Sequence, residues 1–397
     1  MKKKVLIIPS WYPNVKNDII GSFFQEQASF LTDNGYDIKV LYGNIKEVNY
    51  INFFKLKINS FFSPKKTILK KDFLIQGPEA FSFSIMKFFK WNEKKIHNEF
   101  CREYSKAFIE LLATGWKPDL IHAQCTVDGG IIANNLSEVF KIPYLITEHQ
   151  VFLLNYYSKF KQQLIRKSLQ DASKVGAVSN HQKRCILMNS IECNPYIIWN
   201  FIDEEKIIKI SNTSNLKFRV VTISYPSFIK DMDTFFKSIE HFCKITDFDI
   251  EVVVIGNNSF DNLANANTTV FENLARKYNV YSKCVFVPFL PRDEVFATLT
   301  TANVFISTSI AETFGVAVRE AMLCGVPVVV TKSGGVEDAV NEKTGVKVDI
   351  GDYEAIANAL LKIRNSTLNF DSNYLRDFTI SQCGRASFLS KMDSFYA

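Results

Sequence analysis

The sequence predicts an α/β protein made of two doubly wound, parallel-sheet domains that face each other across a cleft. Three observations carry that prediction. The chain has 397 residues, about twice an ordinary domain. Short apolar runs alternate with helix-length segments through both halves, the pattern of parallel strands joined by crossover helices. A polar stretch, Ser211-Asn212-Thr213-Ser214-Asn215, marks a boundary between the halves.

In the first half Val5-Leu6-Ile7-Ile8 reads as a strand and Ser22 to Thr32 as a helix ending near Asn34-Gly35. Asp37 to Leu41, Asp119 to His122, Pro143 to Thr147 and Lys174 to Ser179 are further strands, with a helix from Gly130 to Phe140. Ligands of such sheets bind at the carboxyl ends of the strands, and Ser10, His122, Glu148 and His149 sit at such ends. Tyr196 to Trp199 is the last strand of this half, and Asn200-Phe201-Ile202-Asp203 is a connector. In the second half the strands are Arg219 to Ser224, Glu251 to Ile255, Cys284 to Val287, Val304 to Ser307 and Val326 to Val330. A final helix covers Ser381 to Tyr396, and the domains divide as 1–202 and 203–379.

Composition narrows the class. A hydrophobic content of 47% supplies two cores, and a net charge of +6 is modest for this length; no nucleic-acid-binding module is recognisable, so nucleic acid is not expected as a partner. The eight cysteines form no Cys-x-x-Cys pair, which argues for reduced thiols in the cytoplasm over a disulfide framework or zinc site. Lys2-Lys3-Lys4 precedes an apolar run too short for an export signal, and no run of 18 apolar residues is present. Residues 53–95 interleave Phe53, Phe54, Phe61, Phe62, Phe81, Phe83, Phe88, Phe89 and Trp91 with ten lysines against Asp72, Glu79 and Glu93. Lysines attract anionic headgroups and rings settle at the bilayer interface, so the segment reads as a peripheral membrane patch. Rings that fill the first core, with lysines facing water, are the alternative.

The densest chemistry begins at Ser307. Ser307-Thr308-Ser309 ends a strand, Glu312 lies in the loop, and a helix opens at Phe314-Gly315-Val316 and closes at Gly325. Ser333-Gly334-Gly335 forms a second glycine loop after the next strand. Free amides and the positive end of the helix dipole then converge where a phosphate is held. Glu320 follows Glu312 by eight positions, about 12 Å at 1.5 Å per residue. That exceeds the roughly 5 to 9.5 Å of a hydrolytic carboxylate pair. The two acids suit opposite ends of a long ligand with a diphosphate between them, such as a nucleotide sugar.

These residues resemble the retaining GT-B glycosyltransferases of family 4, in particular bacterial surface-polysaccharide members. The resemblance rests on the E-x7-E pattern from Glu312 to Glu320, followed by Gly325-Val326-Pro327 and Gly334-Gly335-Val336-Glu337. It is supported by Ile8-Pro9-Ser10-Trp11-Tyr12-Pro13, by Gly21 to Gln27 and by Asn200-Phe201-Ile202-Asp203. It implies two Rossmann-like domains, with residues 380–397 packing back on the first. By the same resemblance Glu320 binds the nucleotide ribose and Glu312 the donor sugar. The amides of Phe314, Gly315 and Val316 bind the diphosphate with Lys230, beside the Gly334-Gly335 loop. Base contacts are expected near Pro288 to Arg292, and Glu337 either buttresses the glycine loop or binds sugar hydroxyls. Two positions depart from the family: Tyr225 stands where an arginine is usual, and Gln124 where the second histidine of His-x-His is usual. Gln124 cannot titrate, so either His122 or the neighbouring Glu148-His149 takes that role beside it, or no side-chain base is needed. The implied activity is transfer of a hexose-type unit from a UDP- or GDP-sugar to a lipid-linked glycan in polysaccharide or lipopolysaccharide assembly. It takes place at the inner face of the cytoplasmic membrane, without metal or cofactor. A nucleotide-sugar epimerase of the same fold, or a non-catalytic glycan- or partner-binding subunit, are the alternatives.

Overall fold

The computed structural model describes residues 2–13, 21–48, 70–72, 77–88, 90–207, 217–256 and 269–397. They form two compact units, one of residues 1–178, 182–198 and 392–397, the other of 179–181 and 199–391. The first half of the chain contains β1 (Lys4–Pro9), α1 (Ser22–Asp33), β2 (Asp37–Val48), β3 (Lys70–Asp72), β4 (Glu79–Phe88) and α2 (Glu93–Leu112). It continues with β5 (Leu120–Gln124), α3 (Ile131–Phe140), β6 (Tyr144–Glu148), α4 (Lys159–Gln170), β7 (Lys174–Ala177), α5 (Asn180–Met188) and β8 (Tyr196–Ile197). The sheet order is β3-β4-β2-β1-β5-β6-β7-β8, parallel except for the antiparallel β3–β4 pair. Val5 to Ile8 are all buried in the central strand, as befits a sheet covered on both faces. Strand order reverses at β1, which pairs with β2 on one side and β5 on the other.

Strands β3 and β4 were not anticipated, and they change the reading of the basic aromatic segment. β4 runs parallel to β2 from Lys39↔Glu79 to Val48↔Phe88, and Phe81, Phe83 and Phe88 are buried. Phe83 meets Tyr104 edge-on at 4.8 Å between ring centroids. These three rings therefore belong to the core and not to a bilayer interface. Residues 53–69, 73–76 and Phe89 lie outside the described residues.

The second half contains β9 (Phe218–Ile223), α6 (Met232–Ile245), β10 (Ile250–Ile255), α7 (Thr269–Lys277), β11 (Cys284–Val287), α8 (Arg292–Leu299) and β12 (Val304–Ser307). It ends with α9 (Val316–Leu323), β13 (Val328–Thr331), β14 (Gly345–Val348), α10 (Tyr353–Arg364), α11 (Ser372–Cys383) and α12 (Arg385–Tyr396). Its six-stranded order is β11-β10-β9-β12-β13-β14. Every pair is parallel. The order reverses between β9 and β12, so the crevice outside their carboxyl ends is the place where such a sheet binds a ligand.

The boundary falls at Ile198–Trp199 instead of 202–203, and residues 392–397, not 380–397, rejoin the first unit. Ile202 N donates to Cys383 O at 3.0 Å and Arg385 Nη1 meets Asp203 Oδ1 at 3.0 Å, which ties connector and helix start to the second unit. The predicted last helix begins later, at Arg385, because the Glu204 carboxylate accepts from Arg385 N at 2.8 Å and caps it.

Candidate active site

The loops after β9 and β12 meet at the switch point of the second sheet. After β9 a short 3-10 turn, Phe228–Lys230, presents Lys230. The Thr308 hydroxyl, just past β12, is 3.0 Å from both the Lys230 and the Asp231 carbonyl oxygens, and Ile310 N donates to Ile229 O at 2.7 Å. The main chain that carries Lys230 is thus fixed by the neighbouring loop. Lys230 Nζ forms an ion pair with Glu312 Oε1, an oxygen that also accepts from Ser309 Oγ at 2.9 Å. The same ammonium stands 5.5 Å from the Tyr225 ring centroid, so the residue in the arginine position lines the lysine with an aromatic face.

Backbone contacts fix Glu312 from the other side. Glu312 N donates to Ser333 O at 2.8 Å and Gly335 N to Glu312 O at 2.7 Å, a parallel bridge that lays the Gly334-Gly335 loop against the Glu312 loop. A Cβ on Gly335 would lie 1.9 Å from Thr313 O, so only glycine permits this approach. Gly334 N donates to Glu337 Oε1 at 3.1 Å, which gives Glu337 the buttressing role. Helix α9 opens behind Gly315, whose φ is +76°. Its first intrahelical bond runs from Arg319 N to Gly315 O, which leaves the amides ahead of it as the donors of a helix N-terminus. Phe314 is buried beneath them.

Glu320, one of the buried charged residues, accepts from Arg292 Nη2 at 2.6 Å through Oε1. The sequence placed Arg292 near the base-binding loop but gave it no partner. One signal pointed to it: a cation at the first position of α8 faces the positive end of a helix dipole and needs a nearby anion. The second unit therefore brings Lys230, Tyr225, Glu312, Phe314, Gly315, Val316, Gly334 and Gly335 around one helix mouth. Glu320 stands further along the same helix, held by Arg292.

The candidates of the first unit separate. His122 is fully enclosed: Nδ1 lies 2.7 Å from the Tyr396 hydroxyl and Nε2 2.8 Å from Thr147 Oγ1. Burial holds its pKa down to about 3. It is a neutral core histidine engaged on both nitrogens, which corrects its candidacy as acid or base. Gln124 and His149 are brought together, with His149 Nε2 2.6 Å from Gln124 Oε1. Since an amide oxygen only accepts, Nε2 carries the proton. The His149 ring meets Phe24 edge-on at 5.0 Å between centroids. The neighbouring Glu148 accepts from the amides of Thr126, His149 and Gln150 at 2.8 to 2.9 Å; burial raises its pKa against those bonds, and its task is to fold the loop. Among the described residues no three His, Cys, Asp or Glu side chains are placed to hold a metal ion.

Residues 203–374 match the family "Glycosyl transferases group 1" and residues 89–206 match "Glycosyltransferase Family 4". Sucrose-phosphate synthase 4 of Arabidopsis thaliana is 28% identical over 153 residues, which cover 36% of this chain and 15% of that protein. Two solved structures share the fold along almost the whole chain. A sucrose-phosphate synthase of Thermosynechococcus elongatus superposes with a TM-score of 0.77 at 16% identity, covering 99% of this chain and 98% of that one. HepE of Anabaena in complex with UDP superposes with a TM-score of 0.72 at 15% identity and 99% coverage of both. Two glycosyltransferase families match consecutive segments of the chain, each sheet has the parallel doubly wound form, and the fold is of the GT-B type.

Proposed function

We propose that the protein is a retaining glycosyltransferase that moves a hexose-type unit from a UDP- or GDP-sugar to a lipid-linked glycan in polysaccharide or lipopolysaccharide assembly. The observation that carries this reading is the contact of Lys230 with Glu312 at the mouth of α9, with Glu320 clamped by Arg292 on the same helix. A diphosphate at the helix mouth draws Lys230 away from Glu312, leaving the carboxylate to accept from hydroxyls of the donor sugar. Glu320 accepts from the ribose, and the amides from Phe314 to Val316 take the phosphate oxygens. As the bond to the leaving diphosphate breaks, Lys230 and the helix dipole stabilise the charge that develops. The leaving phosphate oxygen takes the acceptor's proton on the same face, so a buried, neutral His122 is no obstacle. Gln124 and His149 are the acceptor-side residues, and no metal is required.

The test is nucleotide release from UDP- and GDP-sugars with a lipid-linked acceptor. Glu320→Ala should lower transfer by about 10²-fold; transfer at the wild-type rate removes Glu320 from the mechanism. Activity should survive EDTA, and a strict need for Mg²⁺ or Mn²⁺ ends the metal-free reading. Peripheral membrane contact through residues 53–95 rests on the lysines, since part of the ring complement is spent on the core. Flotation with vesicles rich in phosphatidylglycerol should fall on substituting Lys65, Lys66, Lys70 and Lys71 by glutamate, and equal flotation argues against the patch.

A further inference from the structure

Arg319, one residue before Glu320, is completely buried, and its Nε, Nη1 and Nη2 have no hydrogen-bond partner. The guanidinium carbon stands 4.1 Å from the centroid of the buried Phe314 ring, and burial pulls the group's pKa down. Helix α9 packs against α11, whose last turn carries Gln382 and Cys383. Gln382 Nε2 donates to Asp338 O at 3.0 Å, while Gln382 Oε1 is buried without a donor. Lys391 of α12 donates to Gln382 O at 3.2 Å and lies 3.5 Å from the Trp199 ring centroid. Trp199 Nε1 is a further buried donor without a partner. Burial, with the Arg319 charge acting in the same direction, lowers the Lys391 pKa to about 8.

The cluster is unbalanced in one direction. Four unmatched donor nitrogens, three on Arg319 and one on Trp199, stand against one unmatched acceptor oxygen on Gln382. Two cations are close enough for one to depress the other. The Asp338 carboxylate acts on Arg319 only through space, its Oδ2 accepting from Asn180 N at 2.7 Å. Water could complete the hydrogen bonds of neutral groups, but it brings no charge to a guanidinium out of reach of solvent, and buried charges are paired. We infer that Arg319, with Trp199 and Lys391 nearby, forms an anion site behind the donor-binding helix, and that its ligand is a small inorganic anion of halide size. Complete burial of Arg319 sets the size, the donor surplus sets the sign, and the planar guanidinium supplies several N–H groups to one acceptor. Nothing in this site depends on the identity of the donor or the acceptor.

The experiment uses the full chain in gluconate buffer, with bromide replacing gluconate at constant ionic strength. The midpoint of thermal unfolding should rise by a few degrees and saturate, as mass action requires of a ligand bound only by the folded state. Crystals grown in bromide should show an anomalous peak within hydrogen-bonding distance of the Arg319 guanidinium. Arg319→Met should lose the bromide response and, without bromide, unfold no earlier than wild type, because the buried charge is gone. A wild-type midpoint indifferent to bromide, an unchanged response in Arg319→Met, or anomalous peaks only at other places overturns the assignment. If Arg319→Met does not fold, Lys391→Met should show a weakened bromide response, and an unchanged response there with no peak at Arg319 overturns it equally.

Discussion

His122 and Lys230 are both polar residues beside strand ends, yet their surroundings give them opposite duties. The His122 imidazole bridges Tyr396 and Thr147 in a closed space, whereas Lys230 pairs with the Glu312 carboxylate at the mouth of α9. The burial of His122 has a measurable sign. In the unfolded chain it takes a proton near pH 6.5, but in the folded chain only near 3. Between those values the unfolded state binds the additional proton, so stability falls as the pH drops, by up to about 1.4 kcal/mol per pH unit from this group. His122→Gln should flatten the decline of urea-unfolding stability across that window while transfer stays near wild type. A fall in transfer greater than about tenfold would return His122 to the chemistry. No sequence pattern separates these duties, because the Tyr396 that occupies His122 lies 274 positions away.

At the scale of elements, the unit from β12 to β13 was the most legible part of the chain, since its determinants are local. Gly315 and Gly325 have φ of +76° and +78° at the two ends of α9, where a side chain would be strained. Gly325 N bonds Met322 O, and Val326 N bonds Ala321 O; this C-terminal cap uses Val326 and makes β13 begin at Val328, later than predicted. Gly335→Ala tests the clamp between the two loops. Its methyl group must push Thr313 away and break the Gly335–Glu312 bond, so a loss of more than about 3 kcal/mol in urea unfolding is expected, along with loss of nucleotide binding by calorimetry. An alanine variant of wild-type stability would show that the loops can separate freely. β4 was missed although Phe81-Ser82-Phe83-Ser84-Ile85 alternates with the period of a strand, because the surrounding lysines dominated the composition. The Arg292–Glu320 pair and the burial of Arg319 were illegible for another reason: a charge in a helix reads as solvated until the tertiary packing around it is known.

At the scale of the molecule, two sheets with separate cores allow two unfolding transitions, and a ligand of one unit should move only its own. A nucleoside diphosphate at 100 times its dissociation constant adds about 2.7 kcal/mol to the state that binds it. Calorimetry with UDP or GDP should therefore raise the transition of the second unit selectively. If neither nucleotide moves any transition, the non-catalytic reading gains ground. The second unit is nearly continuous in sequence, from Trp199 to Lys391, whereas the other takes back residues 392–397 after an excursion of almost two hundred residues. Its His122 nitrogen waits for Tyr396, and Tyr36 and Lys2 wait for Asp393. During synthesis the earlier-made unit must thus stay incomplete until residues 392–397 are made, although most of its chain precedes the other unit. A ribosome stalled anywhere before residue 392 would hold a chain whose amino-terminal half remains open to chaperones and proteases, and release of the last turn of α12 is the event that seals it.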